Sequence, residues 1–292
     1  MIMAMTRRQL LAGAVGATVA AGAGGLLMVD RGILPGGSVL DRKLGRCDID
    51  VPTANTPGGT VVGGSFTSRL RRVPVDYVIG YPPGVQPGTR IGVCLVLHGF
   101  GATARDGLDA GRYQHHVDTS SGTPFALAAM DGGPGYWHPH ATDDPLAAMF
   151  QEFLPLLAQR GLRTDRVAVL GWSMGGYGAL LCGLTQPQRI VAVAASAPAF
   201  WRSYEEAERV NPGAFDSVDE WRRYDVLTRA GELSGVPLHI DCGEDDPFAP
   251  AVRALRGRLP DPSVVHFASG CHDPQFWQYA APAQLAMIGA AL

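Results

Sequence analysis

The strongest constraint in this sequence is an alternation. Short, unbroken apolar runs recur along it, separated by stretches with apolar residues at helical spacing. The runs are RIGVCLVLHG, PFALAAMDGG, RVAVLGWS, IVAVAASAP, VPLHIDCGEDDPF and SVVHFASGCHD. A short apolar run without polar alternation suits a strand covered on both faces. Helical spacing marks residues 145–160 and the segments after Ser173, Pro247 and Pro274. Parallel strands need crossovers, and crossover helices supply the cover for both faces of a sheet. The chain therefore reads as α/β, a mostly parallel central sheet with flanking helices. Ahead of this pattern, residues 60–79 alternate enough for two antiparallel strands, and residues 80–88 form a Pro/Gly turn. Residues 201–235 are too long and too charged for a simple crossover and read as a small helical cap beside the site.

In an open parallel sheet, functional groups gather at the carboxyl ends of the strands. Here those ends carry His98-Gly99-Phe100-Gly101, Gly171-Trp172-Ser173-Met174-Gly175, Gly243-Glu244-Asp245-Asp246 and Gly270-Cys271-His272. A serine, an acid and a histidine thus follow one another in the order of a serine hydrolase with a nucleophile elbow. The Gly-x-Ser-x-Gly spacing has a steric cause. The serine sits on a sharp strand-to-helix turn, and glycines two residues away on either side let strand and helix approach. The helix N-terminus then favours developing negative charge.

The stretches LHGFGA, GWSMGGYGAL, IDCGEDDPF and GCHDPQFW, with YWHPH in support, resemble the putative-esterase branch of the α/β-hydrolases. That branch includes esterase D (S-formylglutathione hydrolase) and the antigen 85 mycolyltransferases. The resemblance implies an α/β-hydrolase fold and ester chemistry through an acyl-enzyme. Ser173 would be the nucleophile and His272 its base. The family's Gly-x-x-Asp spacing selects Asp246 as the acid, with Asp245 and Glu244 as competitors and Asp273 as a solvated or helix-capping residue. The backbone N–H groups of Phe100 and Met174 would hold the oxyanion, and His98 would shape that loop. Trp137, His138 and Trp172 are candidate substrate-binding residues. Hydrolysis is the leading reading. Acyl transfer to a sugar or lipid hydroxyl, or a non-catalytic binding role on the same fold, are the alternatives, and nothing marks a peptidase.

His138 and His140 lie near Asp143 and Asp144, a spacing able to hold a metal. No third ligand signature accompanies them and serine chemistry requires none, so no metal or other cofactor is expected. His115 and His116 read as a solvated loop.

The N-terminus pairs Arg7 and Arg8 ahead of an uncharged stretch at residues 10–29, similar to a twin-arginine export signal. The stretch is also long enough for a membrane anchor. Residues 1–30 are then signal or anchor, 31–58 a linker and 59–292 the hydrolase domain, lying outside the cytoplasm. A chain of 292 residues that is 46% hydrophobic and 17% charged is globular. With a net charge of -3 and no basic stripe, nucleic acid is not an expected partner. The expected partner is a small-molecule or lipid ester. Of the five cysteines, Cys94 and Cys182 read as buried small hydrophobes, while Cys242 and Cys271 each end a strand run near the site, where a bridge between them is one option that sequence does not fix.

Overall fold

The computed structural model describes residues 45–53, 59–117 and 123–292. The expected signal or anchor at 1–30 lies outside the described residues, as does much of the 31–58 linker. Within the N-terminal unit, Met1–Asp48, residues 45–47 form a turn in which the Asp48 N–H donates to the Gly45 carbonyl at 3.2 Å.

The second unit, Ile49–Leu292, is built on one eight-stranded sheet of order β1-β2-β4-β3-β5-β6-β7-β8. The strands are β1 (Val61–Thr67), β2 (Pro74–Gly80), β3 (Gly92–Leu97), β4 (Phe125–Met130), β5 (Val167–Trp172), β6 (Ile190–Ser196), β7 (Leu238–Gly243) and β8 (Val265–Ala268). The pairs β1–β2 and β2–β4 are antiparallel, and every other pair is parallel. All residues of β3, β4 and β5 are buried, which is why these runs show no polar alternation. Successive side chains still leave on opposite faces. Leu95, Leu97, Val167 and Val169 enter one core, while Cys94, Val96, Ala168 and Leu170 enter the other. Fully burying one such leucine or valine contributes roughly 1.5–3 kcal/mol.

The helices are α1 (Ala104–Asp109), α2 (Tyr113–Val117), α3 (Pro145–Ala148), α4 (Leu154–Gln159), α5 (Met174–Thr185), α6 (Tyr204–Val210), α7 (Val218–Tyr224), α8 (Ala249–Arg256) and α9 (Pro274–Ala291). The helix expected over 145–160 forms, but with a π turn at Met149–Phe153. Pro155 stands just beyond it and cannot donate to the helical ladder. The wider turn, in which the Leu154 N–H reaches the Met149 carbonyl, accommodates it.

One expectation is corrected and one open option is closed. His115 and His116 lie on α2 and not in a solvated loop. Tyr113 and Val117, one turn apart, are both buried and carry His116 inward with them. Burial, then the charges of Arg112 and His115, lower the His116 pKa. The option closed is the bridge at Cys242, which is a free thiol on the wholly buried end of β7 with its side chain in the core. Cys271 is disulfide-bonded, and so is Cys47.

Candidate active site

Ser173 stands between the last residue of β5 and the first of α5 with φ 56° and ψ -124°. A residue with a Cβ is strained there. The conformation is held from both sides. The Ser173 N–H donates to the Ser196 carbonyl at 3.0 Å, and the Ser173 carbonyl accepts from Ala199 at 3.0 Å and Tyr177 at 3.2 Å. A Cβ on Gly171 would lie 2.0 Å from the Gly175 carbonyl oxygen, and one on Gly175 would lie 1.9 Å from that of Leu97. The two glycines are therefore contact points between strand and helix, and they lift the serine hydroxyl above the sheet.

The loop after β8 brings His272 to this hydroxyl. Its Nε2 is 2.8 Å from Ser173 Oγ, and its Nδ1 is 2.7 Å from Asp246 Oδ2. An ionised carboxylate can only accept, so Nδ1 carries the proton and Nε2 is left to accept from the serine. The Asp246 side chain is sealed from solvent, and its Oδ1 accepts the Phe248 N–H at 2.7 Å. It thus shapes the turn and holds the imidazole at once. Glu244 and Asp245 are exposed, and Glu244 pairs with Arg253. Asp273 caps α9 by accepting from Gln275 and Phe276.

Aromatic rings fix the imidazole. Phe248 lies 5.2 Å and Trp277 5.9 Å from it, centroid to centroid. Trp172 stacks on Trp277 at 4.3 Å and fills the space where Gly99 lacks a side chain. It is nearly buried and supports the loop after β3 from within. Phe248 is a site residue that residue types alone did not indicate, because its place depends on the turn Asp246 makes.

That loop carries the Phe100 N–H. The Met174 N–H opens α5, where no preceding turn exists to accept it. Neither group donates to a carbonyl among the described residues. His98 underlies the loop: its Nδ1–H donates to the Gly99 carbonyl at 2.8 Å and its Nε2 accepts the Gly132 N–H at 2.9 Å. This pattern needs a neutral ring, and burial lowers the His98 pKa accordingly. The Trp137 indole donates to the His98 carbonyl at 3.1 Å.

Trp137 and His138 do not line a pocket. Both are completely buried. Tyr136 and Trp137 take left-handed backbone, φ 51° and 59°, and the loop turns their rings inward. Burial and the neighbouring His140 lower the His138 pKa to about 4. The aspartates close to these histidines in sequence face elsewhere. Asp143 forms a double hydrogen bond with Arg71 at 2.9 Å, and Asp144 caps α3. The acids that do meet the histidines, Asp216 and Glu220, come from the cap. The signal for Glu220 was present in Ser217-x-x-Glu220, a helix-start pattern.

The sheet order and the Ser173–His272–Asp246 hydrogen-bond chain define an α/β-hydrolase. The chain belongs to the Putative esterase family, whose sequence profile matches residues 74–258. It is 32% identical to the S-formylglutathione hydrolase of Mus musculus over 132 residues, 40% of this chain and 45% of that protein. The match thus spans less than half the length of the mouse relative. The S-formylglutathione hydrolase of Paracoccus denitrificans is 28% identical over 207 residues, 62% of this chain and 73% of that one. In three dimensions the chain is similar in fold to a ferulic acid esterase, with a TM-score of 0.69 and 18% identity over 80% of this chain and 99% of the other.

Proposed function

We propose that this chain is an exported serine esterase that hydrolyses small-molecule or lipid carboxylic esters through an acyl-enzyme on Ser173. The observation that carries the reading is the unbroken hydrogen-bond chain from Ser173 Oγ through His272 to Asp246, set on a strained elbow. Ser173 Oγ attacks the acyl carbon as its proton passes to His272 Nε2. The imidazolium is held by Asp246, and the oxyanion faces the Phe100 and Met174 N–H groups. His272 then gives the proton to the leaving alkoxide. Water, activated by the same ring, releases the acid and restores the serine. Family membership and the S-formylglutathione hydrolase and ferulic acid esterase likenesses support ester chemistry.

Export rests on Arg7-Arg8 and the apolar stretch at 10–29, which serves as a cleaved signal or a membrane anchor. The disulfide-bonded state of Cys47 and Cys271 agrees with an oxidising compartment. The test of the catalytic reading is labelling by a fluorophosphonate, together with turnover of a panel of acyl esters. Labelling and turnover are expected in the wild type and absent in Ser173→Ala. A folded wild-type protein that takes no label would overturn the reading.

A further inference from the structure

Next to α5, where the Tyr177 ring lies 6.4 Å from that of His138, sits a second cluster for which ester hydrolysis has no use. His138 and His140, from the loop between β4 and α3, meet Glu220 of α7 and Asp216 just before that helix. His138 Nδ1 is 3.7 Å and His140 Nδ1 3.8 Å from Glu220 Oε1, and the three ligand atoms lie within 4.8 Å of one another. Asp216 Oδ1 is 3.0 Å from His140 Nδ1.

Each of the four side chains has its other polar atom fixed by the backbone. His138 Nε2 meets the Ala214 carbonyl at 2.8 Å, and His140 Nε2 meets the Gly135 carbonyl at 2.9 Å. Glu220 Oε2 accepts the Asp216 N–H, and Asp216 Oδ2 accepts the Ala141 N–H at 3.3 Å. Carbonyls only accept, so each Nε2 is a donor, at His138 through the shorter of the two carbonyl contacts that its ring makes, and each Nδ1 is the atom turned to the shared point. Metal-binding histidines are oriented in this way, with the second N–H given to a backbone carbonyl.

His138 makes the case specific. Its side chain is wholly buried between Phe215 and Tyr224, with ring centroids 4.8 and 4.9 Å away. A neutral ring has one proton for two nitrogens that each face a carbonyl, and with it on Nε2 the Nδ1 lone pair faces the Pro139 carbonyl at 3.1 Å and Glu220 Oε1 at 3.7 Å. A buried lone pair turned toward oxygen lone pairs is unfavourable unless a cation lies between them. Two imidazoles and carboxylate oxygens suit a divalent ion of the zinc class. Tetrahedral bonds of 2.0–2.1 Å place ligand atoms about 3.3 Å apart. The histidine–glutamate pairs at 3.7 and 3.8 Å then close by roughly half an ångström, and no pair of the three ligand atoms, all within 4.8 Å of one another, needs more than about 1.5 Å.

We propose that His138, His140 and Glu220, with Asp216 as the fourth donor, form a structural site for one zinc-class divalent cation that fastens the loop between β4 and α3 to α7 of the cap. Binding replaces the proton between His140 and Asp216 and needs no redox step.

The experiment titrates zinc chloride into chelator-treated full-length protein, followed by calorimetry and by thermal unfolding. One zinc per chain is expected. Zinc at 100 times its Kd shifts the unfolding equilibrium about 100-fold, a Tm rise of about 5–10 °C. Magnesium at the same concentration is expected to leave Tm unchanged. His140→Ala and Glu220→Gln are each expected to weaken zinc binding at least tenfold. His138→Ala removes a buried side chain and risks failing to fold, so the exposed Asp216→Asn supplies a further reduction in affinity without that risk. A wild-type Tm unmoved by zinc would overturn the site. So would zinc affinity retained in both His140→Ala and Glu220→Gln, which would mean binding elsewhere on the surface.

Discussion

Ser173 carries a conflict between its backbone and its proposed role. Its φ of 56° and ψ of -124° cost a residue with a Cβ about 1–3 kcal/mol, and glycine escapes most of that cost. Ser173→Gly is therefore expected to unfold at a higher temperature than Ser173→Ala by about 2–10 °C, with both variants inactive. Equal melting temperatures would show that the elbow is unstrained. The acid makes a second residue-scale prediction. Asp246→Asn keeps the turn but presents an amide to His272 Nδ1, and kcat is expected to fall by about 10⁴. Asp245→Asn, on an exposed side chain, is expected to change it little. Comparable losses in the two variants would count against the assignment. The serine and histidine were legible because steric demands write themselves into Gly-x-Ser-x-Gly and into strand order. The acid was harder to read, since Asp245 and Asp246 have the same chemistry and only the turn into Phe248 sends one inward. Trp137 and His138 misled for a related reason. A loop at a strand end suggests a pocket wall, but left-handed backbone at Tyr136 and Trp137 turns it into the core.

Among the elements, α9 does more than cover the sheet. It inserts Gln284, completely buried, between two strands. Ser196 Oγ of β6 donates to Gln284 Oε1 at 3.0 Å, and Gln284 Nε2 donates to Asp241 Oδ2 of β7 at 2.6 Å. The same Asp241 oxygen lies 3.2 Å from His239 Nε2. Gln284→Leu keeps the volume but leaves a buried carboxylate and a hydroxyl short of partners, at a cost of about 2–4 kcal/mol. A Tm loss of about 4–16 °C is expected by thermal unfolding. Adding Ser196→Ala to Gln284→Leu should cost less than the single variants sum to, because the two side chains share one network. Strict additivity would mean that the network is not coupled. Strands and long helices were readable here because each is an apolar run or a sustained helical period. The short α2 was not, because five residues carry too little period and its order comes from Tyr113 and Val117 packing inward. The π turn came from Pro155 acting on a helix that the pattern otherwise continues. The cysteine pairing stayed open in the sequence because proximity to a strand end says nothing about which face a thiol takes, and Cys242 takes the core face.

For the whole molecule, burying several histidines ties stability to pH. Burial is the leading cause of the lowered pKa at His98, His116 and His138, and at His138 the value falls to about 4 from an ordinary 6.5. Between pH 6.5 and the lowered values the unfolded chain binds more protons than the folded one, so stability falls as pH falls. The contribution is whole above 6.5 and is lost progressively toward pH 4. His138 alone accounts for on the order of 3 kcal/mol across that window. His140 has the opposite sign. Burial works against its charged form, but the Gly135 carbonyl, the Asp216 carboxylate and the field of Glu220 outweigh burial and raise its pKa. Its contribution is complete below 6.5 and is lost only as pH rises above its folded value, so it offers no offset on the acid side. Carboxylates with lowered pKa, such as Asp106 and Asp216, release stability only below their ordinary values near 3.8. The interval from 6.5 to 4.5 is therefore governed by the buried histidines. Thermal unfolding of the full chain in chelator is expected to show Tm declining steadily over that interval. His116→Gln should have a shallower decline than the wild type, because one of the three groups no longer titrates. A flat wild-type profile from pH 6.5 to 4.5 would refute the linkage and imply that these rings take up protons in the folded state as readily as in the unfolded one.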